Sequence, residues 1–412
     1  MWTGRKLAFA LALGAIGSLA PLGCGATFDP PTEIKSLRIL GVSKDKPYAE
    51  PGDTVKLSML WYDGSRPVVV ADAPVGAAGA SDQAGAGDGA AGSVGVVGAA
   101  GAGPGAVNTS KRKVSITWLG GCLNPPADSY SGCLEQYAQA FGAGAVTSVD
   151  GVAPADLPGS GITFGTGPEF SVKLPTSHVL HPSQDARLPA YGLSYVFFAL
   201  CAGDLAPGDE HFPLHCQDDS GRDLGPDDFV LGYSAIYLFE RGPNGEPYLN
   251  QNPLTTGLKF GPADVTDVTC FGESCLGTCN TDGVCENRPA EAISSESHPT
   301  LFMSACKEDG DPLKCPPHNL RLDIDPSTFE PDQITNDTYG RAFTEQMWID
   351  YYSTRGRFRS ATKLLNDATR GYNHENGTQF YAPKEKGPVE LWIVMHDNRG
   401  GVSWAGTTLM IE

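Results

Sequence analysis

Glycine and proline constrain this chain more than any other feature: 51 and 32 of them in 412 residues, about a fifth of all positions against a norm of roughly an eighth. In a helix interior glycine costs about 1 kcal/mol and proline about 3 kcal/mol relative to alanine. Long helices are therefore disfavoured, and short strands joined by turns are expected. Charged residues make 19% of the chain, too few for a solvated disordered polymer, so a buried core is expected. Acidic residues outnumber basic ones by 48 to 29, giving a net charge of −19. A nucleic-acid partner needs a basic face to neutralise phosphates, so that class of partner is excluded.

The first residues read as an address. Arg5 and Lys6 precede the run Leu7 to Leu22, which is shorter than the roughly 20 residues of a membrane-spanning helix and has the layout of a secretory signal. It ends at Pro21-Leu22-Gly23-Cys24, which resembles the lipobox of bacterial lipoproteins. The resemblance implies a signal peptide over 1–23, a diacylated Cys24, and a tether over 24–34 that holds the protein at a membrane. A signal that is simply cleaved near a cysteine is the alternative reading. With Cys24 given to lipid, ten cysteines remain: Cys122, Cys133, Cys201, Cys216, Cys270, Cys275, Cys279, Cys285, Cys306 and Cys315. An even number suits a fully oxidised exported chain. The short spacings favour Cys122–Cys133, Cys201–Cys216 and Cys306–Cys315, with the remaining four pairing among themselves.

Strand patterns fall into two groups. Val55, Leu57, Met59 and Trp61 alternate with Lys56, Ser58, Leu60 and Tyr62, and further strands are expected at 36–43, 114–119, 170–174, 194–201 and 229–240. A second set covers 321–324, 345–353, 379–381, 389–397 and 402–411, where Val389, Leu391, Ile393 and Met395 form one row. Alternation with period two is the mark of a half-buried strand. Asn398-Arg399-Gly400-Gly401 joins the last two strands as a hairpin. That hairpin, with the Pro51-Gly52-Asp53-Thr54-Val55 entry into a strand, resembles immunoglobulin-like and polycystic-kidney-disease-type modules. The resemblance implies an all-β fold of two immunoglobulin-like β-sandwiches. The first would span 35–262 with an insertion at 74–109, the second 317–412, with a cysteine-rich linker over 263–316 between them. Within the insertion, positions 76–105 hold 11 glycines and 10 alanines, a composition with almost nothing to bury.

Catalytic motifs are few. Gly87-Asp88-Gly89-Ala90-Ala91-Gly92 matches a dinucleotide fingerprint by letter, but without a preceding strand and following helix it cannot aim amides at a pyrophosphate. His211, His215, Asp218, Asp219 and Asp223 could ligate a metal, yet Pro213 keeps the histidines from sharing a helix face. A polar surface loop is the expectation there, and again at Glu308, Asp309 and Asp311. No metal or cofactor is expected. The cysteines Cys270 to Cys285 lack C-x2-C knuckles, so disulfides rather than zinc are expected. Tyr352, Trp392 and His396 lie opposite the apolar rows of their strands. As exposed aromatics they would be the site for a glycan or protein ligand; covered by a neighbouring module, they would be an interface. The sequence thus points to a non-enzymatic binding or structural lipoprotein of the outer membrane, with a carbohydrate-binding module second and an envelope hydrolase third.

Overall fold

The computed structural model describes residues 32–65, 112–133, 136, 162–176, 189–207, 214–242, 245–262, 269–271, 301–308, 312–324 and 328–412. The expected signal, Cys24, the Gly/Ala tract, His211, Asp309, Asp311, Cys275, Cys279 and Cys285 lie outside them, as does the side chain of Cys270.

The chain is all-β. Its first half supplies β1 (Leu37–Lys44), β2 (Tyr48–Ala49), β3 (Thr54–Asp63), β4 (Ser115–Leu123), β5 (Thr163–Thr166), β6 (Glu169–Lys173), β7 (Tyr191–Cys201), β8 (Asp204–Pro207), β9 (Leu214–Gln217) and β10 (Phe229–Phe239). The second supplies β11 (Thr255–Pro262), β12 (Thr269–Phe271), β13 (Leu301–Met303), β14 (His318–Ile324), the helix α1 (Gln333–Tyr339), β15 (Met347–Ser353), β16 (Arg357–Phe358), β17 (Thr362–Asp367), β18 (Gly371–Tyr372), β19 (Thr378–Tyr381), β20 (Gly387–Asp397) and β21 (Val402–Ile411).

Each half faces one sheet with another. In the first, β1-β3-β6 opposes β2-β10-β7-β4-β5; in the second, β12-β11-β14-β19-β16 opposes β13-β21-β20-β15-β17-β18. One strand order recurs. A short strand, β2 or β13, runs parallel to the final strand of its half, β10 or β21, while the neighbouring pairs are antiparallel.

The first core joins Val55, Leu57, Phe170 and Val172 of one sheet to Ile116, Trp118, Val196, Phe198, Leu200, Ile236 and Leu238 of the other. Trp118 sits fully buried, stacked on Phe170 at 5.6 Å, with its indole nitrogen donating to the Gly167 carbonyl at 2.7 Å, so its one polar group is satisfied. Gly232 is required beside it, because a Cβ there would lie 2.3 Å from the Phe198 ring. The second core packs Leu320, Leu322 and Phe380 against Met347, Ile349, Tyr351 and the row Val389, Leu391, Ile393 and Met395.

Three bridges are formed: Cys122–Cys133, Cys201–Cys216 and Cys306–Cys315, with Cα separations of 5.4, 5.5 and 5.6 Å. The module boundaries expected from composition move. β11, assigned above to a first module ending at 262, pairs along its length with β14 of the second half. Likewise β13, expected inside a linker over 263–316, pairs with β21. The chain leaves the first half at 240–254 instead, where Pro247 and Pro253 interrupt strand pairing by lacking an N–H. Of the expected tether over 24–34, only 32–34 lie within the described residues, and they are held by the second half. Ile34 is buried and exchanges backbone hydrogen bonds with β15, donating to Ser353 O at 2.8 Å while Ser353 N donates to Thr32 O at 2.8 Å.

Candidate functional site

Trp392 and Tyr352, expected on an outer face, are packed against the first half, as in the reading that makes them an interface. Trp392 is 4% exposed, its ring 4.6 Å from that of Tyr62. It belongs to a third apolar cluster, with Ile34, Leu40, Leu60 and Tyr62 from one half, Val394 from the other, and Tyr352 packed at the edge. His396 stacks on Trp348 at 5.2 Å, with Nε2 3.3 Å from the Asp350 carboxylate. The cause lies in β3, whose outward residues Leu60 and Tyr62 are as apolar as its inward ones. A strand greasy on both faces needs a partner on both, and β20 supplies the second.

Beside this greasy contact the closing hairpin builds an ionic one. Asp397 is buried and accepts from the backbone N–H of Arg399 at 2.7 Å and of Gly401 at 2.8 Å, and from Asn250 Nδ2 at 3.3 Å. Gly400 has φ +93°, a conformation that favours glycine. Arg399 donates to Glu345 at 2.6 Å and to Glu330 at 2.8 Å. Burial disfavours its charge, but these carboxylates hold its pKa above the usual value. Burial pushes Glu345 up to about 7, with Arg399 opposing the rise. Lys44 of β1 is buried as well and donates to the Ala235 carbonyl at 2.7 Å; burial lowers it to about 8, with the Asp397 charge resisting. Asn252 ties the connecting segment to both halves, donating to Lys44 O at 2.6 Å and accepting from Val402 N at 2.9 Å. These are the contacts of a fixed joint. The open groove of about 380 Å³ beside it, edged by Asp45, Glu50, Asp53 and Asn250, has its carboxylates engaged: Lys46 pairs with Asp53 at 2.7 Å and Arg241 with Glu50 at 3.0 Å.

The exposed aromatic surface lies elsewhere, on the outer face of β7 and β10. Inward residues of these strands fill the first core; of the outward row, Leu193 and Tyr195 of β7 are buried in a fourth cluster with Ile162, Cys122 and Cys133, with Tyr191, Phe197 and Ala235 packed against it, Phe239 of β10 is buried as well, and Leu231, Tyr233 and Tyr237 of β10 stay exposed. The register sets Tyr233 opposite Phe197 and Ala235 opposite Tyr195. The rings touch in sequence. Tyr130, on the loop closed by Cys122–Cys133, stacks on Tyr233 at 4.7 Å, Tyr233 meets Tyr195 at 5.5 Å, and farther along Tyr237 meets Tyr191 at 6.0 Å and Tyr48 at 6.3 Å. Tyr130, Leu231, Tyr233 and Tyr237 are 49, 50, 48 and 39% exposed. Tyr191 donates to the Asp128 carboxylate, and Tyr195 donates to the Asp128 backbone carbonyl at 2.9 Å. Burial, then the Asp128 contact, pushes the Tyr191 hydroxyl up to about 12, so it stays a neutral donor at ordinary pH. The arrangement offers apolar ring area with a few fixed hydroxyls, which is the composition of recognition surfaces. It was legible as tyrosine, phenylalanine and leucine at every second position of two adjacent strands, opposite an already apolar core row.

His215 and the acidic residues after it are engaged with one another and with their own turn. His215 Nδ1 lies 3.1 Å from Asp223, and Asp218 holds its own turn by accepting from Ser220 and Arg222. Among the described residues no group of three or more histidine, cysteine, aspartate or glutamate side chains is placed to hold a metal, and no helix is long and apolar enough to cross a membrane.

No family model matches the chain, and no curated protein does. Among solved structures, Escherichia coli alpha-2-macroglobulin activated by porcine elastase aligns at TM-score 0.18 and 9% identity, covering 92% of this chain and 22% of that one. Dimeric latent PorU from Porphyromonas gingivalis aligns at TM-score 0.17 and 7% identity, covering 92% and 24%. The chain spans under a quarter of the length of either. At these scores neither likeness bears on fold or function.

Proposed function

We propose that the chain is an exported, membrane-anchored lipoprotein of the outer membrane with a non-enzymatic binding or structural role. Its two halves would be immunoglobulin-like sandwiches locked into one body, with the outer face of β7 and β10 as the recognition surface. The observation that carries this reading is the trio of disulfides, whose six cysteines are all buried. Such bridges persist in an oxidising compartment, the destination implied by the leader and Cys24. Intact-mass measurement of membrane-purified protein, before and after reduction, tests it. The expected result is loss of residues 1–23, diacylglycerol on Cys24, and a gain of one hydrogen pair per bridge on reduction. A full-length polypeptide with free thiols would overturn it.

A second reading, carbohydrate binding, is favoured by the exposed rings of Tyr130, Tyr233 and Tyr237. Glycan-array binding lost in Tyr233→Ala supports it. The buried Trp392 is not a suitable probe.

A further inference from the structure

Basic residues are the minority on this chain, 29 against 48 acidic, and in the second half they gather. The segments 312–324, 353–361 and 377–388 hold seven basic residues against two acidic ones, Asp323 and Glu385. β14, β19 and β16 bring these segments side by side. Their inward residues Leu320, Leu322, Phe358 and Phe380 fill the second core, so Arg321, Arg357 and Arg359 alternate to the outer face, where all three are exposed. Arg359 donates to Gln379 Oε1 at 2.9 Å and Gln379 Nε2 to Asn319 Oδ1 at 3.5 Å, a row of polar side chains lying across the three strands. Arg355 donates to the carbonyls of Lys386 and Pro388 at 3.5 and 2.6 Å, which ties the turn 382–388, with Lys384 and Lys386 exposed, to the same edge. Elsewhere Arg112, Arg222, Arg241 and Arg399 each meet a carboxylate. Arg321, Arg355, Arg357, Arg359 and Lys386 have none within 4.0 Å among the described residues. So many unpaired cations, in a chain with 48 acids, make a face suited to an anion from outside.

The way the chain enters this half says which anion. Ser353, two residues before Arg355, exchanges backbone hydrogen bonds with Thr32 and Ile34. Seven residues, 25–31, separate Thr32 from Cys24, so the chain allows at most about 29 Å between the two. A lipid on Cys24 would keep the basic strip beside a bilayer surface. An acidic body held that near to anionic headgroups is repelled by them unless it turns a basic face toward them. We propose that the outer face of β14-β19-β16, with the turn 382–388, is a headgroup-contact surface, which lays the body on the anionic phospholipid layer that holds Cys24. A sheet face suits this partner, because its guanidinium groups reach toward one plane and each fork takes two phosphate oxygens. The inference rests on the lipid anchor proposed above and adds which side of the body meets the membrane.

The experiment is flotation of the membrane-purified protein with two kinds of vesicle, phosphatidylcholine alone and phosphatidylcholine with about a third phosphatidylglycerol, at low and high salt. The expected result is binding to both through the lipid, tighter by about tenfold or more on the anionic vesicles at low salt, with the excess lost at high salt. Arg321→Glu combined with Arg357→Glu should abolish the excess. Both side chains are exposed, so the unfolding midpoint should hold. Equal or weaker binding to the anionic vesicles leaves the anchor standing and overturns the proposal, as does an excess indifferent to the substitutions. Flotation with anionic vesicles alone keeps the face and counts against the anchor, while flotation with neither overturns both. A protein that ignores anionic vesicles but binds a soluble acidic polysaccharide, and loses it through the same substitutions, would give the face to a glycan and overturn the proposal.

Discussion

The two halves share a strand order and differ in what lies on one face. In the second, the outer face of β20 is pressed against the first half, and Trp392 is a core residue. In the first, the matching face of β7 and β10 carries half-exposed tyrosines. Aromatic residues opposite a core row therefore do not by themselves mark a binding surface. They mark a face that must be covered, and topology decides whether the chain covers it or leaves it to a partner.

Substitution should separate the two faces most sharply. Trp392→Ala is expected to destabilise by about 3 to 5 kcal/mol, the range for emptying a buried aromatic site, whereas Tyr233→Ala should cost below about 1 kcal/mol; denaturant titration reads both. Equal costs would mean that the first face is also covered within the monomer. Arg399→Met should cost about 3 to 5 kcal/mol, since it leaves Glu330 and Glu345 without their cation in a dry joint. If the halves are rigidly joined, the loss should appear as one cooperative transition; two separated transitions would show a joint weaker than its contacts imply.

The Lys44 amine gives a pH test of the same joint. Its folded pKa, about 8, lies below the ordinary 10.5 of a lysine amine, so the unfolded chain holds that proton more tightly. The contribution of Lys44 is lowest below about 8 and climbs as pH rises through 8 toward 10.5, by about 3 kcal/mol if the shift is fully expressed. Glu345 titrates near 7 and has the opposite sense, with its contribution greatest below 4.5 and lost as pH rises through 7. Unfolding measured from pH 8 to 9 reads mainly the lysine, because nearer 10 the tyrosines whose hydroxyls burial pushes up, such as Tyr62, Tyr191 and Tyr352, act in the opposite sense; Lys44→Met should flatten the rise. Breaking Cys122–Cys133 by paired alanines should cost roughly 3 kcal/mol for so short a loop, and should loosen Tyr130 over Tyr233.

Much of the architecture was legible in local pattern. Alternation in 54–62 and 389–397 located strands that are present, and Asn398-Arg399-Gly400-Gly401 forms the expected hairpin. Cysteine spacing suggested the three bridges that form. Domain edges were less legible, because β11 and β13 lie next to or within the cysteine-rich composition after 262 but pair with strands that come later in the chain. The aromatic face was within reach of the same alternation in 191–197 and 231–239, but required both rows of each strand to be weighed together.

Strand positions, the all-β class and the identity of apolar rows follow from sequence because side-chain direction alternates with a period fixed by the backbone. Which apolar row meets protein and which meets solvent does not follow, because it depends on contacts between residues hundreds of positions apart. Trp392 against Tyr62 and Lys44 under Asp397 are brought together by the packing of two sheets, and that packing turns one aromatic face into a core and leaves Leu231, Tyr233 and Tyr237 of its counterpart exposed.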